Sequence, residues 1–462
     1  MSKVVHSHKS CAMNPLKTST PLGAALAYLG VAGAVPLFHG AQGCTSFGVV
    51  LSVRHYKEAI PLQTTALDEV TTILGGADNL EQALINVQKR MKPALIGVDS
   101  TALTETRGED TIGDLRLILA RQPALSETRV VFASTPDYDG ALEDGWSRAV
   151  SAIIEGVVLP PDHVASLHPQ VNVLAGVHQT AADIEALVDI IEAFGLVPVV
   201  LPDISGSLDG TVPEQYVATS LGGTSLDDIA HMGRAIHTIA IGEHMRKPAD
   251  LLHARTGVPS TLFASLIGLE PTDRLITLLS RLSGREAPAR IRRQRSQLVD
   301  AMLDGHFHFG GKRVAIAGDP DLLFALSIFF AGLGAEIVAA VASTHHSPLL
   351  DRIPAERVLV GDLADLEDEA KAADADLLVT NSHGRQAAER LGIPLLRVGF
   401  PIFDRLGPAH RATILYRGTR DLIFEVANIV LAGLHAHRPE DFATAVPIIE
   451  ETAHAGAAPA TH

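Results

Sequence analysis

The chain has 462 residues, of which 47% are hydrophobic and 19% charged, and its formal net charge is −16. At roughly 150 residues per domain this length predicts about three domains, and the composition excludes disorder for most of the chain. No basic stripe balances the acidic charge, so we expect neither nucleic acid nor a membrane surface as a partner. The aromatic content of 4% also argues against a stacking platform for single-stranded nucleic acid.

The first long apolar segment lies near the N-terminus. Residues 18–53 contain no charged side chain, and the most apolar stretch, LGAALAYLGVAGAV, lies between Pro21 and Pro36. It is shorter than the roughly 20 residues that span a bilayer. We interpret it as a buried helix packed closely through its small residues. A signal peptide is the alternative, because three lysines precede the stretch and Ala32-Gly33-Ala34 resembles a cleavage site. The sequence favours a soluble cytoplasmic protein.

Beyond this segment, short strand-type runs alternate with longer helical patterns in three series. The runs cover residues 94–98 and 130–134 in the first third, 171–176, 196–203 and 237–242 in the middle, and 313–319, 336–343, 357–362 and 376–381 in the last third. Near-continuous apolar strands separated by helices are typical of parallel sheets that are covered on both faces. We therefore predict an α/β fold of three doubly wound, Rossmann-like domains.

Composition suggests where these units divide. A Pro/His-rich linker at 160–170 and a basic helical connector at 285–312 separate the three series. The predicted organisation is an N-terminal α/β domain (1–165), a second α/β domain with the connector (166–305), a third α/β domain (306–445) and a disordered tail (446–462). Strand ends at 202–210 and 317–321 lie where such folds bind ligands, but neither contains the glycine pattern of dinucleotide sites.

The two cysteines, Cys11 and Cys44, cannot form a disulfide framework or fill a four-ligand metal site. Any cluster bound here needs ligands from another chain or from solvent. Cys44 ends the loop LFHGAQGC, whose small residues let the backbone approach an inorganic sulfide closely. By spacing alone this is a weak pattern, since a lone cysteine is usually a small buried apolar residue.

The loop LFHGAQGC resembles the first signature of the nitrogenase component 1 family. Further motifs keep to the same family: Arg54-His55-Tyr56, Leu74-Gly75-Gly76, and Ser100-Thr101-Ala102 followed after five residues by Gly108-Glu109-Asp110. The resemblance covers about residues 12–435. It implies the β-type chain of this family and the three-domain fold.

Two departures indicate which kind of β-type chain this is. Catalytic β chains supply three cysteines to the eight-iron P-cluster, whereas here only Cys44 matches. Leu62 and Ala102 stand where the other two would be, and neither side chain binds iron. The chain therefore resembles the non-catalytic β-type chains of the scaffold on which the iron–molybdenum cofactor is matured.

This resemblance implies a set of partners and cofactors. A [4Fe-4S] cluster would lie at the interface with a NifE-type α subunit, which supplies three thiolates while Cys44 supplies the fourth, within an α2β2 heterotetramer. The complex would hold a transient iron–molybdenum cofactor precursor donated by NifB, process it with the iron protein NifH and pass it to nitrogenase component 1. No catalytic residue is implied. Cys11 matches no ligand of the family and is interpreted as incidental.

Other readings stay open at this stage. The chain could be a catalytic oxidoreductase β subunit of the nitrogenase or protochlorophyllide reductase type, the equivalent scaffold of an alternative nitrogenase, or a metal-free α/β ligand-binding module. Glu105, Glu109 and Asp110 form an acidic group that we interpret as carboxylates at a helix N-terminus. The pair His345-His346 resembles a metal pair only superficially and is interpreted as part of a solvated loop.

Overall fold

The computed structural model describes residues 2–9, 11–160 and 169–434. Most of the predicted linker at 160–170 and the whole predicted tail at 446–462 lie outside these residues. The chain begins with strand β1 (Lys3–His6). The first series that follows consists of α1 (Thr20–Leu29), β2 (Ala34–His39), α2 (Gln42–Tyr56), β3 (Gln63–Thr64), α3 (Glu69–Leu74), α4 (Ala77–Met91), β4 (Leu95–Ser100), α5 (Ala102–Arg107), α6 (Thr111–Arg121), β5 (Arg129–Ala133) and α7 (Leu142–Val157).

Two further series of strands and helices follow. The second consists of β6 (Gln170–Leu174), α8 (Ala181–Ala193), β7 (Val197–Leu201), α9 (Leu226–Ala230), β8 (His237–Ile241), α10 (Arg246–Thr256), β9 (Ser260–Phe263), α11 (Leu269–Ser283) and α12 (Ala289–Phe309). The third consists of β10 (Arg313–Gly318), α13 (Pro320–Gly332), β11 (Glu336–Ala342), β12 (Arg357–Val360), α14 (Leu363–Ala372), β13 (Leu377–Thr380), α15 (Arg385–Leu391), β14 (Leu395–Arg397) and α16 (Leu415–Leu434).

The strands form three separate sheets, and every strand pair in them is parallel. The strand orders are β3-β2-β4-β5, β7-β6-β8-β9 and β1-β12-β11-β10-β13-β14. Strands β2, β6 and β10, which open the three series, each lie inside their sheet with later strands on both sides, which is the doubly wound arrangement. The predicted α/β class with three Rossmann-like units is confirmed, and every predicted strand run overlaps an observed strand.

The glycine- and alanine-rich segment near the N-terminus folds differently from the prediction in one respect. Only its first part is helical, because α1 ends at Leu29 and Gly33, with a φ of +68°, turns the chain into the buried strand β2. The close packing is confirmed: a side chain at Gly23 would meet the backbone oxygen of Leu142, and one at Gly145 would meet that of Thr20. Helices α1 and α7 therefore touch backbone to backbone.

Strand β1 belongs to the third sheet, although the sequence division places residues 1–165 in the first unit. Lys3–His6 pair in parallel with Arg357–Val360 at the edge of that sheet. A four-residue strand carries too little periodicity to reveal its partner in the sequence. Residue 305 also lies within α12, so the exact division between the units stays a prediction.

One large apolar cluster runs through all three units and includes Trp146, whose indole Nε1 donates to the carbonyl oxygen of Ala175 (2.8 Å). This bond joins α7 to the end of β6. In the part of the chain that the structure describes, no helix combines the length and the apolar character needed to cross a bilayer.

Candidate functional site

Cys44 lies in the first turn of α2, directly after the loop that leaves β2. Its side chain is exposed. Among the described residues, no atom outside the adjoining part of α2 lies within 4 Å of a Cβ atom added at Gly43. The N-cap residue Ala41 has no side-chain acceptor, so it does not cap the first backbone N–H groups of α2. The thiol thus lies beside open space, at a helix N-terminus whose first N–H groups receive no side-chain cap from the N-cap residue.

Helix α2 exposes three of its apolar side chains, although Val49, Leu51 and Tyr56 pack partly against the core. The face that packs on the protein consists of Thr45, Gly48, Ser52 and His55, all buried, whereas Phe47, Val50 and Val53 are 75%, 50% and 38% exposed. An amphipathic helix of a monomer shows the opposite arrangement. The outer face, which we call the α2 apolar face (Phe47, Val50 and Val53), therefore has the character of a protein–protein contact surface.

The loop that ends at Cys44 is fixed by a buried histidine. His39 is fully buried at the end of β2; its Nε2 lies 2.9 Å from Oε2 of Glu109 and its Nδ1 lies 3.1 Å from Oγ1 of Thr65. Burial lowers the pKa of His39, although the Glu109 carboxylate opposes this shift. The neutral ring then donates from Nε2 to Glu109 and accepts the Thr65 hydroxyl proton at Nδ1.

Glu109 extends this network to the turn before α4. Its other oxygen accepts from the N–H of Gly76 (3.3 Å) and from the Arg107 guanidinium. A side chain at Gly76 would meet Cε1 of His39 at 2.7 Å, so the turn must be glycine to lie against the ring. Three motifs that are distant in the sequence are thereby locked around one imidazole.

The positions of the two departures from the catalytic pattern carry no ligand. Leu62 is 6% exposed and packs with Ala25 and Phe38 in a small apolar cluster beneath α2. Ala102 is the first residue of α5, after the N-cap Thr101. Neither side chain can bind iron, so Cys44 is the only thiol that this chain brings to these three positions. Cys11 is exposed in the N-terminal segment.

The environment of Cys44 disfavours the free thiolate. Partial burial raises the pKa of the Cys44 thiol, and the nearby carboxyl group of Asp137 raises it further. No basic side chain contributes to the shift. The positive charge of the iron in a bound cluster would stabilise the thiolate and would displace the proton.

The remaining acidic candidates have structural partners. Oδ1 of Asp110 accepts from the N–H of Gly113 (3.0 Å) and caps α6, as interpreted from the sequence. Glu105 instead accepts from the hydroxyl groups of Ser100 and Ser134 at the ends of β4 and β5. Glu105, Glu109 and Asp110 therefore each have their own hydrogen-bond partners and do not act as one acidic group.

A second cluster of ionisable groups, at the junction of the three units, was missed in the sequence. Glu143 from α7, His244 after β8 and Asp321 from α13 place one ligand atom each within 4.8 Å of the others. Asp321 follows a strand end that the sequence analysis considered, but the sequence gives no signal for Glu143 or His244. We call this group the junction triad (Glu143, His244 and Asp321).

The hydrogen bonds of the junction triad oppose metal binding. Nε2 of His244 accepts from the N–H of Val177 (3.2 Å), so the proton of the neutral ring is on Nδ1, which donates to Oδ2 of Asp321 (2.6 Å). A metal on Nδ1 would force a proton onto Nε2, facing the Val177 N–H. The triad is thus a hydrogen-bonded contact between the units rather than a metal centre.

Burial controls ionisation at this junction. It raises the pKa of Glu143 well above its usual value, with the carboxylates of Asp321, Asp319 and Asp144 adding to the shift. Burial raises the pKa of Asp319 to about 6, and it lowers that of the neighbouring His178 to about 4. Burial alone would raise the pKa of Asp321, but its hydrogen bonds from His244 outweigh this and lower it.

Comparison with known proteins shows which family the chain belongs to. Residues 19–431 match the family described as nitrogenase component 1 type oxidoreductase. A solved structure titled "Nitrogenase Cp1 at pH 6.5" superposes with a TM-score of 0.87 at 31% identity, covering 95% of this chain and 97% of the other. The chain belongs to the nitrogenase component 1 family.

Within that family the chain is similar to several proteins that share one name. The nitrogenase iron-molybdenum cofactor biosynthesis protein NifN of Mesorhizobium japonicum is 59% identical over 95% of both chains. The protein of the same name from Klebsiella pneumoniae is 39% identical over 93% of both chains. The chain is thus similar over nearly its whole length to proteins named NifN.

Proposed function

We propose that this chain is the β-type subunit of the scaffold on which the nitrogenase iron–molybdenum cofactor is matured before transfer to the catalytic component. The observation that carries the proposal is the single thiol at the site. Leu62 fills an apolar cluster and Ala102 starts a helix, so the chain lacks two of the three thiolates of a catalytic P-cluster half. The high identity with NifN proteins supports the same role.

Cys44 supplies one thiolate to a [4Fe-4S] cluster that is shared with a NifE-type α subunit. An exposed thiol beside open space and uncapped N–H groups fits one corner of such a cluster, whereas a complete set of four thiolates is not present in a chain with two cysteines. The α2 apolar face, adjacent to Cys44, is the surface on which the partner subunit packs. Two such pairs form an α2β2 heterotetramer.

The complex then acts as an assembly site. NifB donates the precursor, the iron protein NifH takes part in its maturation, and nitrogenase component 1 accepts the product. This chain contributes protein surface around the precursor, a subunit contact and one thiolate. It supplies no catalytic residue. Its place of action is the cytoplasm, where the nitrogenase components would be found.

The test compares variants of the anaerobically purified complex, obtained by co-expression with the partner subunit. Cys44→Ala is expected to leave the fold intact, because the side chain is exposed in the separate chain, and to leave assembly intact, because the α2 apolar face is unchanged. It should alter or remove the EPR signal of the interface cluster and reduce cofactor maturation. Cys11→Ser is the matched control and should keep both iron content and spectrum. Unchanged iron, spectrum and potential in Cys44→Ala would refute the ligand assignment. Substrate reduction by the complex at nitrogenase-like rates would refute the scaffold role.

A further inference from the structure

His345 and His346, which the sequence analysis assigned to a solvated loop, are joined in the structure by a third histidine. The strand order explains this meeting. His6 at the end of β1 and Ala342 at the end of β11 both lie beside Val360 of β12, on its two sides. All three strands are parallel, so their carboxyl ends reach the same edge of the sheet. The chain that follows β11 brings His345 across that edge to His6.

The three imidazole rings are neighbours in space. The ring centroids of His6 and His345 are 5.2 Å apart, and those of His345 and His346 are 4.8 Å apart. Two imidazoles on one tetrahedral zinc ion, with Zn–N bonds of about 2.0–2.1 Å, place their centroids roughly 5 Å apart. The observed separations are therefore compatible with a shared ion.

Two carboxylates from the first unit prepare His346 as a ligand. Its Nδ1 lies 3.0 Å from Oδ1 of Asp144, so this nitrogen carries the proton and donates it. Its Nε2 faces Oδ1 of Asp139 at 3.6 Å, and a metal ion bound between these two atoms would take the place of any proton on Nε2. A carboxylate on one ring nitrogen is the arrangement that orients metal-bound histidines. Asp139 is itself held by the Arg148 guanidinium at 2.6 Å.

We propose that His6, His345 and His346, with Asp139, form a surface site for a divalent transition-metal ion. Three imidazoles and a carboxylate select ions such as Zn²⁺ over Mg²⁺ and Ca²⁺, which prefer oxygen ligands. Among the described residues only the junction triad already brings three ligand atoms within 4.8 Å, so binding here requires rotation of the exposed His6 and His345 rings.

Such an ion would join three parts of the molecule. His6 comes from the N-terminal strand, His345 and His346 come from the third unit, and Asp139 lies before α7 of the first unit. A ligand that binds only the folded arrangement stabilises it according to its concentration and affinity. The site would therefore fasten the short N-terminal strand and the loop after β11 to the first unit.

The test uses Zn²⁺ as the probe on the purified full-length chain in its complex. Equilibrium dialysis at micromolar Zn²⁺ with excess Mg²⁺ should retain about one zinc ion more per chain in the unaltered protein than in His345→Ala or His346→Ala. His231→Ala is the control, because this histidine also pairs with an aspartate, Asp227, but stands apart from the cluster. The control should keep the extra ion.

Two readouts separate this site from binding elsewhere. X-ray absorption at the zinc edge should show nitrogen and oxygen ligands at about 2.0–2.1 Å and no sulfur. Zn²⁺ should raise the melting temperature of the unaltered protein and of His231→Ala, but not of His345→Ala. Equal zinc in the histidine variants, sulfur in the zinc shell, or binding only at millimolar Zn²⁺ would each overturn the proposal.

Discussion

Nε2 of His39 lies 2.9 Å from Oε2 of Glu109, and this contact joins the loop before Cys44 to the turn before α6. The two residues are 70 positions apart in the sequence. His39 is fully buried, so its hydrogen bonds are protected from competing water. The position of the cysteine loop therefore depends on two side chains that lie outside the loop's own cysteine, His39 and Glu109.

Removing the Glu109 carboxylate should therefore destabilise the first unit. Glu109→Ala leaves a buried imidazole N–H without an acceptor, and we expect a loss of about 1–3 kcal/mol in the free energy of unfolding. Glu109→Gln keeps an acceptor and should cost clearly less. Urea denaturation of both variants measures the difference. Equal losses would mean that the acceptor retained by glutamine does not help, which would contradict this explanation.

The α2 apolar face should be required for assembly but not for folding. Phe47 is 75% exposed, so Phe47→Asp should leave the circular dichroism spectrum and melting temperature of the isolated chain nearly unchanged. In the complex an unpaired carboxylate would be buried, and co-purification with the partner subunit should fall at least tenfold. Phe307→Asp on α12, which replaces a phenylalanine that is 84% exposed on a different helix, is the matched control. Equal pull-down of partner by both variants would contradict this role for the face.

The thiol of Cys44 should react slowly at neutral pH. Partial burial and the Asp137 carboxyl group raise the pKa of this thiol. The thiolate fraction of the isolated chain therefore stays small until the pH exceeds the pKa of an ordinary cysteine. Alkylation rates measured in a Cys11→Ser background report on Cys44 alone. Asp137→Asn removes one cause of the shift and should move the rate profile to lower pH. A thiol that already reacts fully at pH 7 would contradict the shift.

Ionisation of Asp319 should weaken the junction of the three units. Its pKa is raised to about 6 by burial, so the protonated form stabilises the fold. That contribution is complete below the pKa of the unfolded chain and is lost as the pH rises through about 6. The side chain of the Asp319→Asn variant cannot ionise. The melting temperature of this variant, relative to that of the unaltered protein, should therefore rise between pH 5 and 7.5. A constant difference across this range would show that Asp319 does not titrate there.

The sequence predicted the architecture well because buried parallel strands are nearly continuous apolar runs. Runs such as 171–176 and 313–319 stand out without any knowledge of their neighbours in space. Strand β1 was missed because four residues, half of them exposed, show no such run. The end of α1 was misplaced because alanine and glycine continue through Gly30 into β2.

The candidate site was predictable where a motif is contiguous and was not where side chains meet across units. Cys44 and its glycines lie in one loop that the resemblance identified. Glu143, His244 and Asp321 come from three units, and neither spacing nor composition links them. The same holds for His6 and His345, which are close only because β1 and β11 flank β12. Pairings of this kind follow from the strand order, which the sequence alone does not give.

The placement of β1 also bears on how the protein is made. Lys3 pairs with Arg357, which lies 354 positions further along the chain, so β1 is synthesised long before its partner. At about 5–20 residues per second, the N-terminal strand waits roughly 20–70 s for β12 to be synthesised. During translation the first and second sheets can complete themselves, whereas the third acquires its outer strand from the opposite end of the chain. That sheet can therefore acquire β1 only after the chain has been synthesised as far as β12.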